Sequence, residues 1–584
     1  MARRIQVAVL VSFAILPFAF FLGRNRLSSS CRCFPDDPCW PPPEEWNSLN
    51  ASLSGNLISA DPIGSVCHTN TSFATPYNSQ KCSELWSRWP LPVTHYQNPS
   101  SPMAGWWANF SCSPFTPASS RCTVGPLARY TVNVTTAADV QKVLRFATKH
   151  NIRLAIRNTG HDYIGKSTGP GAVALWTHNL KSIEYKPEYT SSWYTGPALR
   201  VGAGVQGFEA QDAAHRLGSG HVVVSGHSPD IGIAGGYTQG GGHGPLASRY
   251  GLAADQVLEW EVVTAAGEIL TASPAQNADL YWALSGGGGG AFAVVLSMTV
   301  RMYAEEQTAS GSLVFPFEAA DAHAWEAIRT FLLDTLPLID AGGTALWVLY
   351  PGPTTASPVT FIAAPLTLPG GKTEELQSYL ASTLELLQKY DMTYDLSINT
   401  FPSYHASVAS TAVNVTEFHV GGLLIPRSTV QSNPDAFISA LQAVLQHKAA
   451  ISSYSLNVSR PVNSPVSTNA VTPAWRKAAV SLLIGIPFNY TNRQVNIDNQ
   501  RLMTDVLLPQ VSASTRTDGE EEAGAYLNEA DWNQPNWQTV FYGENYERLL
   551  KIKDKYDPEQ IFYGRTAVGS ERWVERLDGR LCRA

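Results

Sequence analysis

The sequence predicts an α+β protein of two large domains behind a cysteine-rich leader. Three observations carry that reading. Strand-like and helix-like apolar patterns alternate through most of the 584 residues, and 44% of residues are hydrophobic against 15% charged. Seven of the eight cysteines fall between Cys31 and Cys122. At roughly 150 residues per domain the length suits about four small units or two large ones. A chain this apolar buries a sizeable core, which excludes intrinsic disorder. The formal charge of -7 lacks the basic excess of a nucleic-acid binder, so no nucleic-acid partner is expected.

Arg3 and Arg4 precede an apolar run over residues 5–22, the pattern of a secretory leader. As a helix that run rises about 27 Å, just short of a bilayer core of roughly 30 Å. Residues 1–30 therefore read as a signal peptide or a membrane anchor through residues 5–22, with a buried helix of the fold as the weaker alternative. Arg24 and Arg26 balance the leading arginines and leave orientation open. Entry to the secretory pathway puts the mature chain in an oxidising compartment, secreted or anchored with its body lumenal or extracellular. There Cys31, Cys33, Cys39, Cys67, Cys82, Cys112 and Cys122 are expected to pair as disulfides. Cys582 closes the set, or one thiol stays free. Eight cysteines allow 105 pairings and spacing does not choose among them. The pattern lacks the paired C-x-x-C units of a zinc site, so no metal is expected. Seven Asn-x-Ser/Thr sequons, at Asn50, Asn70, Asn109, Asn133, Asn414, Asn457 and Asn489, fit glycosylation in the same compartment.

Residues 31–122, rich in Pro, Ser, Trp and Cys, read as a stapled, loop-rich segment. From residue 123 the texture changes. Thr136 or Asp139 can cap a helix whose Val140, Val143, Leu144 and Ala147 recur at i, i+3, i+4 and i+7. Strands are expected over 153–157, 172–176 and 198–202, and a helix over about 207–217. This first α+β domain runs over 123–305. Over 306–530 longer helical stretches (374–390 and 434–447) alternate with strands such as 345–350, a second α+β domain. A last helix over 542–556 stops at Asp557-Pro558, so the end of the chain is folded.

Three glycine-dense stretches carry the chemistry. Arg157-Asn158-Thr159-Gly160-His161-Asp162-Tyr163 follows a strand directly, and backbone N–H groups exposed in such a turn can nest a pyrophosphate. Ser167 and Thr168 stand within reach as hydroxyl donors. Residues 226–244 are so rich in glycine that the backbone can approach a large flat cofactor. The third, 285–290, feeds a β-branched strand over 292–300 instead of opening a helix. That, and the lack of an acidic residue ending a second strand of a βαβ unit, argue against a Rossmann site for NAD.

The runs R-N-T-G-H-D-Y, G-I-A-G-G-Y-T-Q-G-G-G-H-G and G-L-A-A-D-Q-V-L-E-W-E-V-V-T resemble the PCMH-type FAD-binding domain of the vanillyl-alcohol oxidase superfamily. The C-terminal Y-G-E-N-Y-E-R-L-L-K-I-K-D-K-Y-D-P-E-Q-I-F resembles the tail of berberine-bridge enzymes. The opening C-R-C-F-P-D-D-P-C-W-P is similar to secreted fungal members, isoamyl alcohol oxidase-like and secondary-metabolite oxidoreductases among them. The resemblance spans residues 31–577. It implies that 123–305 and a returning segment, 531–577, clasp FAD, while 306–530 roofs the isoalloxazine with an antiparallel sheet.

Carried over residue by residue, the resemblance makes His161 the histidine bonded to the flavin 8α-methyl. Doubly linked members have a cysteine where this chain has Ser228, and serine cannot form the thioether, so a single covalent link is implied. Arg157, Asn158, Thr159, Gly160, Asp162, Ser167, Ile231, Gly232, Gly235, Gly236 and Tyr237 fall on the cofactor-binding runs. Ile231 stands where side-chain bulk governs dioxygen access, which tilts toward a dehydrogenase or slow oxidase. Tyr526-Leu527-Asn528-Glu529 matches the family's Y-x-N-Y motif with Glu529 replacing the second tyrosine. Tyr526 is then a base if its phenol pKa is lowered, and Asn528 binds the flavin edge. Glu529 is a base or else a carboxylate favoured at a helix N-terminus. His243 is a further base candidate or a structural residue. Asn469, Trp475 and Arg476 line the substrate cavity or simply start a helix after Pro473. The implied reaction is hydride removal from an alcohol or similar C–H donor of a small molecule, in fungal secondary metabolism, with flavin reoxidised by oxygen or another acceptor. An oligosaccharide oxidase and a flavin-bearing binding protein without turnover are the alternatives. Oligomeric state is not set by the sequence.

Overall fold

In the computed structural model, which describes residues 31–217, 220–352, 357–408, 417–459, 468–515 and 523–584, Thr136 caps the helix Ala137–Lys149. Its hydroxyl accepts from the Asp139 N–H (3.3 Å), and the Asp139 carboxylate accepts from the Thr136 N–H (3.0 Å). Such a reciprocal cap is worth about 1 kcal/mol. Val140, Val143, Leu144 and Ala147 form the buried face, as the sequence spacing requires. They pack on strands Tyr130–Asn133, Leu154–Arg157 and Val173–Trp176, which pair in parallel.

The leader was expected to be loop-rich and stapled on. Instead its strand Leu57–Ser59 completes that sheet, pairing antiparallel with Tyr130–Asn133. It also carries the helices Pro43–Ser52 and Ser79–Arg88. The physical reason is apolar: Trp46, Leu49 and Leu53 belong to the same buried cluster as Val132, Leu144 and Leu175. Residues 1–30, and with them the choice between signal and anchor, fall outside the described residues, as does Asn414. No helix among the described residues is long and apolar enough to cross a membrane.

A second sheet of five antiparallel strands follows, in the order Ile269–Ala272, Val257–Val263, Val294–Arg301, Thr195–Gly202, Ile183–Thr190. The third sheet has seven antiparallel strands, ordered Asp395–Phe401, Thr308–Phe317, Val359–Pro369, Thr344–Tyr350, Ala450–Ser455, Ala478–Pro487, Phe418–Pro426. Its two faces follow from period-two alternation. Ala345, Trp347 and Leu349 point into a core shared with the helices Ala322–Asp340 and Pro434–Gln446. Leu346, Leu424 and Tyr454 point the other way, into a cluster with Trp475 and Tyr526. That second face looks toward the glycine-rich runs, and the Thr344 hydroxyl donates to the Pro245 carbonyl (3.0 Å).

Two expected helices are interrupted. Over 374–390 there are two, Thr373–Ser378 and Ala381–Lys389, because the Asp334 carboxylate accepts from the Thr383 N–H (2.9 Å) and hydroxyl (2.8 Å) and so opens the second. The last helix is Tyr546–Tyr556, set off from Trp537–Tyr542 by Gly543, whose φ of +56° no side chain adopts easily. Lys553 in that helix is buried, yet its ammonium donates to the Ala291 and Phe562 carbonyls and to Asp557, each at 2.6 Å. All three donors are used.

The cysteines pair as Cys31–Cys582, Cys33–Cys39, Cys67–Cys82 and Cys112–Cys122, and none of the described cysteines is free. The first bridge joins residues 551 apart, so it constrains nearly the whole unfolded chain. Replacing Cys31 and Cys582 together by serine is expected to cost on the order of 4–5 kcal/mol, the upper end for disulfides. Chemical denaturation of the double variant without reductant checks this.

Candidate active site

A deep cleft runs between the two smaller sheets. Leu154 and Ile156 line it from the first sheet, Ala203 and Val295 from the second, and Phe562, Tyr563 and Gly564 from the C-terminal segment. It holds about 1320 Å³ of empty space, open mouth included. Glycines make it. A Cβ at Gly289 would stand 2.8 Å from the Gly236 Cα, and one at Gly232 would stand 2.4 Å from the Asn158 Oδ1. Asn158 Nδ2 donates to the Ala203 carbonyl (2.5 Å), while its buried Oδ1 has no partner. Thr159, Gly160, His161, Ser167, Ser228, Ile231, Gly235, Gly236, Tyr237 and Asn528 also line the walls. The cleft's glycine walls and its orphaned polar atoms fit FAD.

His161 sits where the loop after Leu154–Arg157 turns, its Nε2 2.9 Å from Asp230 Oδ1. The Gln206 amide fixes the Asp230 backbone (2.8 Å). With Nε2–H donating to the carboxylate, the imidazole is held in the tautomer that keeps its lone pair on Nδ1. Asp230 escaped sequence reasoning. It stands two residues after Ser228 but 69 after His161, and nothing local marks the pairing.

Several neighbours serve the loop rather than a ligand. Arg157 does not line the cleft. Its guanidinium is fully buried, with Nη2 within 3.1 Å of the carbonyls of His95, Asn98 and Ser101, so it pins the leader to the sheet. Burial pushes it down to about 10. The Asp162 carboxylate accepts from the N–H groups of Ile164, Gly165 and Ser167, at 3.0, 3.0 and 2.6 Å, which leaves it folded into its own loop. The Thr168 hydroxyl accepts from the Ala128 N–H (3.0 Å) and does not reach the cleft. Arg157→Met leaves three carbonyls, two of them buried, without their donor and is expected to destabilise the fold by on the order of 3 kcal/mol, measured by urea denaturation.

At the other end of the cleft, residues 526–529 form a turn gripped between the glycine run and the large sheet. A Cβ at Gly240 would stand 2.4 Å from Asn528 Nδ2, and one at Gly422 would stand 2.4 Å from the Glu529 carbonyl oxygen. Asn528 Nδ2 donates to the Gly236 carbonyl and to the Tyr526 hydroxyl oxygen, both at 2.8 Å. Tyr526 is buried, and that burial together with the nearby Glu529 raises its phenol pKa. That direction is opposite to the one a tyrosinate base needs. Glu529 stands in a turn, not at a helix N-terminus. Its Oε2 lies 3.1 Å from His243 Nε2. His243 is ringed by Tyr454, Trp475 and Tyr526, with centroids 5.2, 5.5 and 5.2 Å away. Tyr237 anchors the histidine's backbone, its hydroxyl donating to the His243 carbonyl (3.3 Å).

Asn469 and Arg476 do not line the cleft. Both bond the buried Asp255, Asn469 at 2.6 Å and Arg476 bidentately at 2.8 and 3.0 Å, which fixes the short helical turn Pro473–Arg476. Trp475 contributes only a wall of the aromatic ring around His243. Sequence reasoning also missed Lys166, Gln239 and Tyr563, all in the cleft wall.

Comparison with known proteins agrees with this geometry. A model of the FAD binding domain matches residues 128–273, and one described as berberine and berberine like matches 525–569, starting before the expected 531. The FAD-linked oxidoreductase sor8 of Hypocrea jecorina (strain QM6a) is 44% identical over 580 residues, covering 99% of this chain and 97% of the relative. The VAO-type flavoprotein oxidase VAO615 of Thermothelomyces thermophilus (strain ATCC 42464 / BCRC 31852 / DSM 1799) is 40% identical over 570 residues, 95% of this chain and 96% of that one. The crystal structure of the VAO-type flavoprotein MtVAO615 at pH 5.0 from Myceliophthora thermophila C1 superposes with a TM-score of 0.87 at 39% identity, over 95% of this chain and all of that one. The chain belongs to the FAD-linked oxidoreductases of the vanillyl-alcohol oxidase type, with a berberine-like C-terminal segment.

Proposed function

We propose that this oxidoreductase dehydrogenates an alcohol, or a similar C–H donor, of a small apolar molecule, with Glu529 as the base and His161 as the covalent anchor of FAD. The Glu529–His243 pair carries the reading. It puts a carboxylate on the cleft wall, oriented by a buried histidine and bordered by aromatic rings. Bound FAD supplies the acceptor for two electrons and one hydrogen. Glu529 takes the hydroxyl proton as the C–H electron pair leaves the carbinol carbon, and a carbonyl product remains. Tyr526, protonated and held by Asn528, offers a hydrogen-bond donor to the substrate oxygen. His243 positions Glu529 and spreads the charge change over the pair.

Asp230 supports the link by holding the His161 Nε2–H, which leaves Nδ1 as the nitrogen that would carry FAD. Ser228 lines the cleft in place of a second attachment point, and all described cysteines are bridged, so the link is single. The aromatic surround favours a flat or apolar donor of the kind met in fungal secondary metabolism over a sugar, whose many hydroxyls need polar partners. Four disulfides support passage through the secretory pathway, with glycans at the exposed Asn70 and Asn109. Anaerobic mixing with a panel of alcohols, polyketide alcohols and oligosaccharides tests the substrate class. Bleaching of the flavin by apolar alcohols is the expected result, and bleaching by oligosaccharides alone would reject the proposal.

A further inference from the structure

Among the described residues the cleft wall has one lysine, and its ammonium makes no hydrogen bond. Lys166 lies in the loop after Leu154–Arg157, with part of its stem exposed and its ammonium shielded from solvent. No hydrogen-bond acceptor meets that ammonium. The contrast with Lys553 is direct, since that equally sheltered ammonium has three acceptors at 2.6 Å. An unpaired buried cation is costly to keep, so a fold that keeps one has a use for it. The nearest anion, Asp162, already accepts from three backbone N–H groups. Burial pulls the Lys166 ammonium down to about 8, and Asp162 offsets only part of that.

We propose that Lys166 is the cation that holds the dianionic diphosphate of FAD. The diphosphate is the one group of FAD that is anionic at neutral pH, and among the described residues Lys166 is the one lysine or arginine lining the cleft. The remaining carboxylates of the wall are engaged: Asp162 by its loop and Glu529 by His243. Gly564 of the C-terminal segment leaves room for the lysine stem, because a Cβ there would approach the Lys166 Cγ to 3.0 Å. The berberine-like tail thus shapes the phosphate end of the cleft as well as the ring end. Pairing replaces an orphaned charge by a charge-assisted hydrogen bond, which selects FAD over flavins that lack the diphosphate.

The inference rests on the family's FAD and not on the proposed substrate or covalent link. In a His161→Ala background, where flavin exchanges freely, FAD and riboflavin are titrated against the parent and against Lys166→Met and Lys166→Arg. Lys166→Met is expected to weaken FAD by about 10- to 100-fold and to leave riboflavin within about 2-fold. Lys166→Arg is expected to keep most of the FAD affinity. The flavin-free Lys166→Met protein should melt no lower than its parent, since it loses an unpaired buried charge. Equal loss of both flavins, unchanged FAD affinity, or a lower melting temperature of the flavin-free variant would each overturn the assignment.

Discussion

His161→Ala is expected to abolish acid-stable flavin: after acid precipitation the yellow colour moves entirely to the supernatant, where the parent keeps it in the pellet. The expectation follows from the pair His161–Asp230, in which the carboxylate takes Nε2–H and leaves Nδ1 nucleophilic. Asp230→Ala should therefore slow attachment without preventing FAD binding, giving a mixture of bound and released flavin that shifts toward bound on long incubation. A Ser228→Ala variant should keep all of its acid-stable flavin, because Ser228 supplies no second bond. Mass spectrometry of tryptic flavin peptides reads all three outcomes. A flavin peptide containing residue 228 would show that the single link is wrong.

Glu529→Gln is expected to lower the rate of anaerobic flavin bleaching by about 10²- to 10⁴-fold while FAD content stays unchanged, the usual weight of a positioned general base. Stopped-flow absorbance at saturating substrate measures it. His243→Phe keeps the aromatic packing around Tyr454, Trp475 and Tyr526 but releases the carboxylate, so a smaller loss is expected, together with a displaced pH profile for bleaching. Tyr526→Phe should cost less than Glu529→Gln, since the phenol donates a hydrogen bond and does not accept the proton. If Tyr526→Phe proved the more damaging of the two, the roles assigned here would have to be exchanged.

Much of the cofactor cleft was legible in the sequence because glycines speak locally. Runs 157–163 and 226–244 have few structural meanings other than close backbone approach, and nearly every residue singled out there does line the cleft. Side-chain roles were less legible. Arg157 looked like an anion binder by type and position, but its partners are carbonyls around 60 residues upstream in the leader. Asp162 looked available, yet short polar side chains in turns bond their own backbone first. Tyr526 was a plausible base only under an electrostatic condition, and burial beside Glu529 sets the opposite one. The Glu529–His243 contact spans 286 residues, and Cys31–Cys582 spans 551, distances over which no spacing rule operates. The leader's strand Leu57–Ser59 was invisible for a similar reason: three residues of strand acquire meaning only from the sheet they join.

The bridge between Cys31 and Cys582 also sets an order of events. Its second cysteine is Cys582, and the cleft wall takes Phe562, Tyr563 and Gly564 from the stretch just before it. While the ribosome still holds that stretch, neither the cleft nor the clasp exists. FAD therefore meets a complete cleft only once residues 562–582 have left the ribosome and folded back onto the body.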